Sequence, residues 1–160
     1  MNRQIGLMFG ILLLFAHSST WACSCVGEMS VKKALKKNDI VFIGKVISME
    51  KITITQNLSG TETNINHYFY RFTFTIEKRY KGKVKTSAIE ITTGVGSGDC
   101  GYKFEIGKSY VVYANKRKRY FNEGPKVKTF LYTDVCERTT VKVAEEKNEI
   151  EKYRKFLFVK

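Results

Sequence analysis

From Tyr68 to Tyr80 the side chains alternate, with Tyr68, Tyr70, Phe72, Phe74 and Ile76 on one parity and Phe69, Arg71, Thr73, Thr75 and Glu77 between them. A period of two sustained over this length predicts a β-strand with one buried face. Ile40–Met49 is rich in β-branched residues and predicts a second strand, in which Gly44 marks a bulge or bend. Ala88–Thr92, Ser109–Ala114 and Val127–Thr133 complete a set of five. Polar Gln56–Asn66 reads as a loop, Lys81-Gly82-Lys83 as a turn, and Asn115–Lys126 as a basic hairpin loop. Two segments carry helical spacing instead. Ser30 is placed to cap Val31–Lys37, whose apolar face is Val31, Ala34 and Leu35. In Ala144–Phe158, Ile150, Tyr153 and Leu157 form a stripe expected to cover one open side of the sheet, or else to bind a partner.

Five curved strands with a glycine-bent first strand and two added helices predict an all-β chain built as an OB-type Greek-key barrel. The chain shows no internal repeat and no linker. Its organisation reads as a signal peptide at 1–22, a barrel domain at 23–140 and a C-terminal helix within 141–160. Ahead of the barrel, Arg3 and the apolar run Ile5–Ala16 have the form of that signal peptide, with a cleavage site after Ala22. The run is shorter than the about 20 residues a bilayer span requires, which argues against a retained anchor. Lipid attachment at Cys23 is the rival processing, but Thr20 and Trp21 fit that box poorly. The expected location is secreted or periplasmic, and Asn57-Leu58-Ser59 fits a glycosylation acceptor.

Composition narrows the chemistry. With only His17 and His67, the chain has no material for a His-rich metal centre or a metalloprotease helix. Glu145-Glu146 are adjacent, not facing one another, and read as charges at a helix start, so no enzyme activity and no cofactor are expected. Gly94-Val95-Gly96-Ser97-Gly98-Asp99 lacks the following amphipathic helix that a phosphate loop needs, so its glycines read as turn residues.

All four cysteines, Cys23, Cys25, Cys100 and Cys136, follow the leader, and export favours disulfides. A bond between Cys23 and Cys25 would strain the bridge geometry, which leaves two connectivities open. A zinc site is disfavoured because Cys100 and Cys136 stand alone, without the close ligand pairs such sites use; no intrinsic metal is expected.

In order along the chain, Cys23-Ser24-Cys25-Val26, Asn38-Asp39-Ile40-Val41, Tyr80-Lys81-Gly82, Cys100-Gly101, Gly107-Lys108-Ser109-Tyr110-Val111-Val112 and Cys136 resemble the inhibitory domain of the tissue inhibitors of metalloproteinases, within the netrin-like group. The resemblance covers most of residues 23–140. It implies a five-stranded OB barrel and the pairing Cys23–Cys100 with Cys25–Cys136. It also implies a zinc metalloproteinase as partner. The α-amine and carbonyl of Cys23 would chelate the target's zinc in trans, with Ser24 entering the specificity pocket.

That mechanism is sound chemistry. Catalytic zinc keeps one position open and accepts nitrogen and oxygen donors. An α-amine with an ordinary pKa of about 7.7–8.0 is readily neutral near physiological pH.

The alternative is a non-inhibitory interaction module. Its partner would be a polyanion, a cell surface or another protein; the formal charge of +13 and the run Lys116-Arg117-Lys118-Arg119, beside Tyr120 and Phe121, suit an anionic polysaccharide or cell surface. Nucleic acid is a poor partner for an exported, disulfide-bridged chain.

Overall fold

The computed structural model describes residues 23, 25, 27–57, 64–121 and 124–158. The leader at 1–22, Ser24, and the Leu58-Ser59 part of the Asn57 acceptor lie outside the described residues. The first helix, α1, is Val31–Lys37. The Ser30 hydroxyl accepts from the Lys33 N–H at 3.4 Å, and the buried Asn38 side chain donates to the Ala34 carbonyl at 3.1 Å. At the other end Lys81 Nζ donates to the Leu35 carbonyl at 2.8 Å, supplying a cation where helix carbonyls lack partners.

Strands β1 (Ile40–Asn57), β2 (Asn64–Lys81), β3 (Ala88–Gly94), β4 (Ser109–Arg117) and β5 (Phe130–Tyr132) close into a barrel in the order β1-β2-β3-β5-β4. Neighbours are antiparallel except β3 and β5, which meet in parallel at Thr92 and Tyr132. The pairing of β1 with β2 shifts register at Val41/Phe42, Ile43/Gly44 and Val46/Ser48, and bulges of this kind bend a strand. Gly44 sits at one of them. A Cβ there would lie 2.8 Å from both the Phe42 ring and the Thr75 carbonyl oxygen.

The apolar run in β1 has no polar alternation because both faces are covered. Phe42 and Val46 point into the barrel with Phe72, Phe74, Ile91, Phe104 and Val112. Phe104 sits edge-on to Phe72, Phe74 and Tyr110, with centroids 4.9 to 5.1 Å apart. Val41 and Ile43, of the opposite parity, pack outward with Val111 and Tyr113 of β4. Against that outer face lie Val31 and Ala34 of α1 and Ile150 of the second helix, α2 (Val143–Phe158). The barrel is closed, so α2 covers an outer face and not an open side.

Several boundaries differ from the sequence reading; Asn115–Arg117, expected in the basic loop, belongs to β4 and pairs with β5. β1 continues through Asn57 and β2 begins at Asn64, so both ends of the expected Gln56–Asn66 loop are strand, while 58–63 lie outside the described residues. Polar groups hold the extension. Thr55 donates to Asn66 at 2.8 Å, and Gln56 meets His67 Nε2 at 3.0 Å. Conversely β5 is shorter than Val127–Thr133. Val127 instead donates its N–H to the Lys118 carbonyl at 2.8 Å, inside the preceding loop.

Candidate functional site

Cys23 is bonded to Cys100 and Cys25 to Cys136, with Cα separations of 5.4 and 5.2 Å. This is the connectivity the family resemblance implies. Each anchor is built into the barrel rim by local hydrogen bonds. After β3 the chain turns through a short 3-10 helix, Ser97–Asp99. The Asp99 carboxylate accepts from the N–H groups of Val95, Gly96 and Gly101 at 2.7, 2.8 and 3.1 Å. Cys100 follows in the left-handed region at φ 58°. Gly101 is buried against the end of β3; a Cβ on it would stand 2.1 Å from the Gly94 carbonyl oxygen, so only glycine fits. The turn expected from these glycines is therefore present, organised by an aspartate.

The second anchor adjoins the first. Val135 donates its N–H to the Cys100 carbonyl at 2.9 Å, and the Asp134 carboxylate accepts from the Cys136 N–H at 2.9 Å. Val95, whose N–H meets Asp99, and Val135, whose N–H meets Cys100, have exposed side chains, at 38% and 45%.

Beyond Cys25 the chain is held by Arg138. Its guanidinium donates to the Met29 carbonyl, to Glu146 and to Glu149, each at 2.7 Å. Glu146 also accepts from the Tyr113 hydroxyl at 2.5 Å. Glu146 is buried, with 5% of its side chain exposed, and its hydrogen bond holds Arg138 more firmly in the charged form. Burial, and then the same carboxylate, push the Tyr113 phenol well above its ordinary pKa. Glu146 is thus more than a helix-starting charge: it joins α2, β4 and the N-terminal segment. Between Cys25, Met29, Cys136, Arg138 and the first turns of α2 lies a groove of about 660 Å³.

Breaking this network has a defined cost. Arg138→Met leaves the Glu146 charge buried without its cation and is expected to lower stability by about 3 kcal/mol. Changing both residues, Arg138→Met with Glu146→Met, removes the stranded charge and is expected to recover about half of that. Urea midpoints of the single and double variants measure it; an equal loss in both would count against a buried charge pair.

The basic run divides. Arg117 lies 3.6 Å over the Tyr132 ring and 3.7 Å from Asp134, and Arg119 donates to the Gly124 carbonyl at 2.6 Å. Lys116 and Lys118 have exposed side chains. The neighbouring rings have aromatic partners: Tyr120 stacks on Phe130 at 4.4 Å, and Phe121 lies on His67 at 4.6 Å. Arg117 and Arg119 thus have partners within the fold, although Arg119 is exposed like Lys116 and Lys118. Among the described residues no cluster of three or more His, Cys, Asp or Glu is arranged to hold a metal, and no helix is long and apolar enough to cross a membrane.

No protein-family model and no curated protein matches this chain. Function is therefore argued from residues and geometry. Sequence reasoning found the four cysteines and the glycine loop. It missed Asp99, Asp134 and Arg138; an aspartate directly before Cys100 in a glycine-rich turn was a usable signal, since such side chains bond nearby backbone N–H groups.

Proposed function

We propose that the processed chain, beginning at Cys23, is a secreted inhibitor of zinc metalloproteinases with an OB-type, netrin-like barrel as its scaffold. The Cys23 amine and carbonyl take the open coordination position of the target's zinc, and Ser24 enters the adjacent specificity pocket. The strand order, with its parallel contact between β3 and β5, supports the OB reading.

One observation carries the functional reading. Both cysteines of Cys23-Ser24-Cys25 are bridged to anchors that are hydrogen-bonded to each other through Val135 and Cys100. An edge held this way loses little conformational freedom on entering a cleft. Exposed Val95 and Val135 offer apolar contact beside it, as the centre of a docking surface requires. A five-membered amine–carbonyl chelate needs no side-chain ligand, which agrees with a site whose cysteines are consumed in bridges.

The test is a titration of purified processed protein against several zinc endopeptidases and, as controls, serine endopeptidases. Stoichiometric inhibition confined to the zinc enzymes is the expected result. Failure to inhibit any of them would remove the reading and leave the barrel as an interaction module.

A further inference from the structure

The charges on α2 are sorted by flank. Glu146 and Glu149 face Arg138, where their charge is consumed internally. On the flank marked by the Lys78–Glu151 pair and by Arg154 over Tyr80, Lys147, Arg154 and Lys155 are exposed, and among the described residues Glu151 is the acid paired there. Lys147 and Lys155 stand four residues before and after Glu151, so helix geometry places all three in one row. From β2, Lys78 adds a fourth cation, 2.5 Å from Glu151. Lys78 and Arg154 both lie over the Tyr80 ring, at 5.3 and 6.0 Å. The crowd of cations is felt by this acid: its carboxyl is held below the ordinary value, first by Lys78 and further by Lys147 and Lys155.

We propose that this basic flank, Lys78, Lys147, Arg154 and Lys155 around Glu151, binds a linear sulfated polysaccharide. Lys147 and Lys155 are about 12 Å apart along the helix axis, so an extended chain with repeated anionic groups meets both. Single-stranded nucleic acid is disfavoured because it requires open aromatic platforms. Tyr80 packs against the cluster of Val31 and Ile150 with its ring covered by cations. The two disulfides also place the folded chain in oxidising compartments, where sulfated polymers are met. The site shares no residue with the disulfide-held edge and does not depend on the inhibitor reading. It also differs from the run Lys116–Arg119 at the end of β4, where Arg117 is paired with Asp134 and Arg119 with the Gly124 carbonyl.

The experiment is calorimetric titration of the folded, bridged protein with a size-defined heparin oligosaccharide at several salt concentrations. The variant Lys147→Gln with Arg154→Gln and Lys155→Gln is expected to bind at least about tenfold more weakly, with a log–log salt slope shallower by about two to three. Glu151→Gln removes the opposing charge and is expected to bind about threefold or more tightly. Lys116→Gln with Lys118→Gln is expected to change affinity less than about twofold. Absence of binding by the natural sequence, unchanged binding by the triple variant, or weaker or unchanged binding by Glu151→Gln would each overturn the proposal. Equally tight binding of single-stranded DNA of matched charge would overturn the choice of ligand. Circular dichroism checks each fold; should the triple variant unfold, Glu151→Gln decides alone.

Discussion

A processed protein carrying one extra alanine ahead of Cys23 is expected to lose at least about a thousandfold of its inhibition while melting at the same temperature as the natural form. The extra residue turns the amine of Cys23 into an amide nitrogen, which is no longer a basic donor. It also inserts a further residue between the bridged edge and the metal. Truncating one partner of a desolvated polar pair at an interface costs about 2–5 kcal/mol. Both donors of the chelate are displaced here, so about 4 kcal/mol, or a thousandfold, is a moderate expectation. The fold is indifferent to the change, because Cys23 and Cys25 keep their bonds to Cys100 and Cys136. The two readouts separate: inhibition constants for the chelate, thermal melting for the scaffold. An extended form that inhibits as well as the natural one would show that some other surface makes the contact.

Elements stood out in the sequence where the physics is local, and faded where it is not. α1 spans the expected residues because a capping serine, an apolar face and a stopping asparagine lie within nine positions. The alternation from Tyr68 to Tyr80 is a record of one face turned to the barrel core, and β2 contains all of it. Gln56–Asn66 reads as a loop because it is polar, yet at its two ends Gln56 and Asn66 are in strands. They pair across the strands with His67 and Thr55, which composition does not show. The edge itself was half legible. Cysteines announce covalent anchors, but the residues that aim those anchors do so across long separations. Arg138 reaches Met29, and Tyr113 reaches Glu146, through contacts that exist only after β4 and α2 have packed. The run Lys116–Arg119 shows the reverse error, since adjacency in sequence suggested one patch and the fold sends Arg117 and Arg119 to internal partners.

Removing either disulfide is expected to destabilise the domain by the same amount, although the two span 77 and 111 residues. The reason is that they share a circuit. With Cys23–Cys100 intact, residues 25 and 136 are already joined by a path of about 38 residues through that bridge. The path between 23 and 100 through the other bridge has the same length. In the chain-entropy model a loop of this size is worth about 4 kcal/mol, while the last remaining bridge is worth nearer about 4.5–5. The variants Cys25→Ser with Cys136→Ser, and Cys23→Ser with Cys100→Ser, should therefore each melt lower by roughly 15 °C. Removal of all four cysteines should exceed twice either loss. Near-equal melting of the two pair variants would support a stabilisation that acts mainly on the unfolded chain. A clear difference would mean instead that one anchor holds the folded rim in place: the loop pinned by Asp99 if the first variant is the more stable, the Arg138 network if the second is.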